Sequence, residues 1–270
     1  MSEAEEVCVR APDVVARFAD LVARPEHEVD LGAAAMALAA GAYPDLDVAA
    51  RTRDLERLAD GVKDLDGLLG RLFGELGLRG DTERYHDPDN SFLHRVLERR
   101  LGVPISLSVL TIEVGRRAGL TVHGIGMPGH FLIWADDEQV YLDAFAGGAV
   151  LDEAGAELLF RSSTRAGSGI AFGPALLPRV GAHGILTRML ANLRAVYRAT
   201  ASAPDLEWVL GMRLVLPGAT SIDVAELGEA LAAQGRYVEG AAVLERRAAV
   251  DPRDADQLEG AARLLRSRLN

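Results

Sequence analysis

The chain has almost no cysteine: Cys8 is the single one in 270 residues. One thiol closes no intrachain disulfide and builds no zinc cluster, so nothing marks an oxidised, secreted protein. Positive charge is also short. Lys and Arg number 29 against 40 Asp and Glu, a net charge of −11 with a pI near 5.1. Nucleic-acid backbones and anionic membranes both call for a basic surface, so neither is expected as a partner. Long apolar runs are missing as well. The most apolar stretch, Leu31 to Tyr43, is too short and too rich in Ala and Gly to span a bilayer. The opening residues, Met1-Ser2-Glu3-Ala4-Glu5-Glu6, are acidic where a signal peptide is basic. A cytoplasmic protein is expected.

What is present fits a folded protein. Hydrophobic residues at 49% and charged residues at 26% are near the soluble average. The length suits one large domain or two smaller ones. From Ala11 to about Arg79 the pattern is helical, with Val14, Phe18, Leu21 and then Leu55, Leu58, Val62, Leu65 at spacings of three and four. Pro25 and Pro44 divide it into separate helices. Asn90 reads as the N-cap of a short helix through Val96 to Arg100, ended by Gly102. Pro104 reads as the first residue of a second helix, Ile105 to about Ala118, closed by Gly119.

The period then changes to two. Thr121–Ile125, His130–Ala135 and Gln139–Ala144 read as strands, with Met127-Pro128-Gly129 as a turn. If Asp136-Asp137 is a two-residue loop, Ala135 faces Glu138, Trp134 faces Gln139 and His130 faces Asp143. Opposed side chains lie about 4.5–5.5 Å apart at Cβ, within reach of an imidazole–carboxylate hydrogen bond. A loop longer by two residues keeps both on one face. Asp beside His fixes the tautomer and favours the imidazolium, the orienting role in hydrolytic triads; the plainer alternative is a structural polar pair.

A nucleophile is expected at the start of the facing helix, where the helix N-terminus lowers a thiol pKa and stabilises developing negative charge. That position holds Pro104-Ile105-Ser106-Leu107-Ser108 and no cysteine. Ser106 and Ser108 are the hydroxyls available, and bonding to helix backbone is the simpler account of each. His86, Asp87 and Asp89 have metal-like composition, but helix capping explains them. His123 either flanks the site or packs, and Cys8 is far from it in sequence.

Residues 154–180 are mixed, with an unassigned loop at 162–173. Helical signal returns from about Ala182. Val224–Leu231 and Tyr237–Val250 form a helix pair around Gln234-Gly235-Arg236, and a weaker copy runs from Leu190 to Pro217. Pro217 and Pro252 lie 35 residues apart, near the ~34-residue tetratricopeptide period. An ordinary helical bundle is the alternative.

The blocks Tyr85–Leu93, Val96–Ser108, Pro128–Leu132 and Leu142–Phe145 together closely resemble the SirB-type family. These are bacterial proteins described as regulators of sirC expression, with a transglutaminase-like domain followed by tetratricopeptide repeats. The resemblance implies an α+β protein in three parts: a helical N-terminal region over 1–80, a papain-like helix-plus-antiparallel-sheet core over 81–178, and all-α repeats over 182–270. It also implies that His130 and Asp143 match the second and third members of a Cys-His-Asp triad whose first member is missing. Two functions follow as expectations. One is a regulatory module that binds a protein or peptide through its repeats. The other is a serine-dependent acyl transferase or amide hydrolase using Ser106, His130 and Asp143. Neither requires a cofactor or a metal.

Overall fold

A computed structural model describes residues 12–164 and 169–268. Cys8 and part of the unassigned 162–173 loop lie outside the described residues. The helices are α1 (Pro12–Val22), α2 (Leu31–Ala39), α3 (Val48–Ala59), α4 (Leu65–Leu69), α5 (Leu93–Arg99), α6 (Pro104–Arg117), α7 (Glu153–Thr164), α8 (Ala182–Ala199), α9 (Ala203–Val215), α10 (Ser221–Ala233), α11 (Tyr237–Val250) and α12 (Ala255–Ser267). The strands are β1 (Arg79–Gly80), β2 (Leu101–Gly102), β3 (Val122–Ile125), β4 (Leu132–Ala135), β5 (Val140–Asp143), β6 (Ala149–Leu151) and β7 (Arg179–Val180). Helix and antiparallel sheet are mixed, and helix predominates. No helix among the described residues is long and apolar enough to cross a membrane.

The chain divides into two compact units. The first comprises residues 25–39 and 46–189 and is built around α6. Pro104 opens this helix at a position that needs no amide donor, and Gly119 at φ 86° follows its end. Every residue from Pro104 to Gly115 is buried, the polar Ser106, Ser108, Thr111 and Glu113 included, so the helix is enclosed on all sides. Helices α2, α3 and α5 and strands β3 and β4 enclose it. Leu107, Val109, Leu110 and Val114 are fully buried there; each contributes about 1.5–3 kcal/mol of burial. Beside α6 lies a five-stranded antiparallel sheet in the order β6-β5-β4-β3-β7.

The hairpin register differs from the sequence expectation. Ile133 pairs with Leu142, Trp134 with Tyr141 and Ala135 with Val140, so the loop has four residues, Asp136 to Gln139. Gln139 takes the left-handed conformation at φ 55°, and its side-chain amide donates to Asp136 O. Asp-Asp supplies neither the Gly nor the Asn that a tight two-residue turn requires, and the longer loop relieves that conflict. The shift is by two, so the faces are unchanged. The short helix also starts differently. Asp87 caps a 3-10 turn over Pro88–Ser91, α5 begins at Leu93, and Arg100 at φ 63° ends it. Asn90 is buried instead of capping, and its amide donates to Arg84 O.

The second unit comprises residues 12–24, 40–45 and 190–268. Helix α1 packs on α9, and from α9 onward each helix packs on the next. Leu210, Leu227, Leu231, Leu244 and Leu258 form its core. Thr220 caps α10, its hydroxyl accepting from Asp223 N, while the Asp223 carboxylate accepts from Thr220 N. Helices α10 and α11 approach closely at glycine. A Cβ added to Gly240 would stand 2.7 Å from the Gly228 carbonyl oxygen, closer than any side chain tolerates.

Candidate functional site

The site forms where β4 begins and β5 ends. Met127-Pro128-Gly129 turns the chain into β4, with Gly129 at φ 77°. Only glycine fits here: the left-handed conformation disfavours a side chain, and a Cβ would meet Thr164 Cγ2 at 2.7 Å. The turn presents His130, which is 7% exposed, to Asp143 at the end of β5, which is 4% exposed. Nε2 of His130 lies 2.9 Å from Oδ1 of Asp143. The same oxygen accepts the backbone N–H groups of Phe145 at 3.0 Å and Ala146 at 3.3 Å. Three donors converge on this carboxylate and fix it in place. With Nε2–H donating to it, Nδ1 is left as the lone-pair nitrogen of the neutral ring. Phe145 lies edge-on to the imidazole, with ring centres 6.1 Å apart, and Tyr85 lies edge-on to Phe145 at 6.0 Å.

The turn is clamped from outside the hairpin. Arg188 on α8 donates from Nη1 to Met127 O at 3.0 Å and from Nη2 to His130 O at 2.8 Å. Its Cζ stands 5.3 Å from the centre of the Phe131 ring. Burial pulls this guanidinium below its ordinary pKa, with the Tyr85 phenol acting in the other direction. Burial in turn raises the Tyr85 pKa, and Arg188 opposes it.

Ser106 is fully buried, and its hydroxyl is committed to backbone. It donates to Asn90 O at 2.5 Å and accepts from Val103 N at 3.1 Å. Among the described residues no hydrogen bond joins Ser106 to His130. Ser108 is buried too, and its Oγ has no hydrogen-bond partner among the described residues. Asp87 and Asp89 face Arg99, which also reaches Asp81. Capping and ion pairing account for these carboxylates, and His86 stacks edge-on against Tyr85 at 5.3 Å. His123 makes a second His–Asp pair with Asp136, 2.9 Å long and more exposed than the first. The His123 hydrogen bond, helped by Trp134 Nε1 and Arg179, holds the Asp136 carboxyl below the usual range.

The sequence reading did not single out Phe145 or Arg188. Phe145 sits two residues past Asp143, where a site search by polar residues passes over it. Arg188 reaches the turn through two backbone carbonyls and the Phe131 ring, roughly sixty residues away, and no local side-chain pattern announces that.

An α-helix buried at the centre of one unit, an antiparallel sheet beside it, and a His–Asp pair at the strand ends define a transglutaminase-like domain. The chain belongs to the transglutaminase-like superfamily, whose family model matches residues 39–191. A UPF0162 protein of Xylella fastidiosa (strain 9a5c) is 36% identical over 191 residues, 65% of this chain and 67% of its own length. A UPF0162 protein of Vibrio cholerae is 36% identical over 88 residues, covering 32% of this chain and 33% of that protein. F-box only protein 21 of Mus musculus is 31% identical over 139 residues, 48% of this chain and 21% of that protein. No solved structure matches the chain.

Proposed function

We propose that this protein is a regulatory or interaction module of the SirB type. In this reading a transglutaminase-like domain keeps the His130–Asp143 pair without a nucleophile, and tetratricopeptide-like repeats over 182–270 capture a protein or peptide partner. The observation that carries it is the start of α6. The residue types there are Pro, Ile and Ser, and the Ser106 hydroxyl is tied to Asn90 O and Val103 N. A nucleophile needs a free lone pair aimed at substrate and a base that takes its proton. Ser106 offers neither without breaking both bonds.

Support for the interaction role comes from the C-terminal unit. From α9 to α12 each helix packs on the next; if these are repeats, their stacked pairs would present a concave surface suited to peptides. A groove of about 450 Å³ is lined by Ala233, Tyr237, Leu264 and Arg268 among others. Leu264 is 59% exposed on it. Replacing Ala233 and Leu264 with Glu is expected to abolish partner capture in a pull-down, while His130→Ala leaves it intact. Equal loss from both would count against the reading.

The second reading is the serine-dependent acyl transferase or amide hydrolase. It is favoured by the fixed His130–Asp143 pair, which leaves Nδ1 basic. It asks Ser106 to turn from Asn90 toward His130, with His130 as general base and Asp143 as orienting acid.

A further inference from the structure

Buried guanidinium groups are expensive unless a negative charge meets them. This chain obeys that rule widely. Arg99, Arg117, Arg194, Arg213 and Arg236 have side chains 11–24% exposed, and each is paired with at least one carboxylate. Arg188 is the departure. It is partly buried, yet among the described residues its polar partners are two backbone carbonyls and no carboxylate. Those bonds use two of the five N–H donors of a guanidinium. In a protein with 40 acids to 29 bases, a cation left without a carboxylate is not explained by scarcity of partners.

Its surroundings favour an anion. The Tyr85 ring lies 6.0 Å from Phe145, which abuts the imidazole of His130, the residue whose carbonyl Arg188 holds; the phenol and the guanidinium oppose the effect of burial on one another. Tyr85 is 41% exposed. Tyr85, Phe145 and His130 form a run of edge-on rings beside the turn that Arg188 clamps. We infer that Arg188, with the Tyr85 hydroxyl and the His130 edge, forms a binding site for a small organic oxyanion. The ligand is a carboxylate or phosphate monoester whose apolar body lies along Tyr85 and Phe145. The fork of a guanidinium matches either oxyanion through paired N–H bonds, and a phenol adds a third donor. The inference goes beyond the interaction reading and does not require it.

Benzoate and phenyl phosphate are the probes. Each is titrated into the full chain at low salt by calorimetry, with the Arg188 Nε–H resonance followed by NMR. The expected result is binding of at least one, with the Arg188 resonance moving along the same isotherm. Benzoate alone identifies a carboxylate site, phenyl phosphate alone a phosphate site. Arg188→Lys keeps the charge and loses the fork, and is expected to weaken binding at least tenfold. Arg188 also holds the 127–130 turn, so Tyr85→Phe provides a variant that leaves the clamp alone; a loss of at least threefold is expected. Absence of binding by both probes overturns the inference, as does heat without movement of the Arg188 resonance. Unchanged affinity in Tyr85→Phe overturns it too.

Discussion

Asp143 carries more of the site than its neighbours. One of its oxygens receives His130 Nε2 and two backbone N–H groups while the residue is almost fully buried. Asp143→Ala strands all three donors, so a loss of about 3 kcal/mol is expected by urea denaturation. Ser106→Ala is expected to cost about 0.5–1.5 kcal/mol, because the hydroxyl's bonds to Val103 N and Asn90 O are lost while those two keep their 3.3 Å bond to each other. A serine kept only for chemistry would give little change in stability, which makes the measurement informative. His94 sets a pH dependence. Burial holds its pKa below the ordinary value, so the unfolded chain binds the proton more readily than the folded one. Stability is therefore full above about pH 6.5 and falls as acid is added below it. In urea titrations at pH 7 and pH 5, His94→Gln is expected to lose less stability than the parent between the two.

At the scale of elements, the hairpin shows what sequence can and cannot reveal. The assumed hairpin register placed His130 and Asp143 on one face; in the structure His130 stands in the turn ahead of β4, and its Nε2 reaches Asp143 Oδ1 at 2.9 Å. Loop length was not legible, because Asp136-Asp137 lacks a residue that commits the turn. Strands β1, β2, β6 and β7 have two or three residues each, too few for alternation to register. Helix α6 was legible at both ends, since Pro104 and Gly119 are strong punctuation. For Ser106 the sequence offered bonding to nearby backbone, and its bonds to Val103 are of that kind; Asn90 as a partner was not legible, because it lies 16 residues away in a turn that local pattern assigns to capping. Between α10 and α11 the glycine contact is tight. Gly240→Ala is expected to force the helices apart and cost about 1–3 kcal/mol, seen as a lower urea midpoint.

Across the whole molecule, the two units put different physical devices in one chain. The unit around α6 holds a buried His–Asp pair on a sheet, clamped by an arginine. The C-terminal unit is a succession of helices whose groove is lined by small and apolar residues. Membership of the transglutaminase-like superfamily accounts for the first and says nothing of chemistry at α6, where the cysteine is missing. The proposed binding role requires that the domain form no acyl-enzyme on Ser106. Intact-mass spectrometry after incubation with a serine-reactive fluorophosphonate tests this most directly. The account predicts an unmodified folded chain, with a serine hydrolase labelled in parallel. Stoichiometric adduct on Ser106, absent from Ser106→Ala and from His130→Ala, would contradict it.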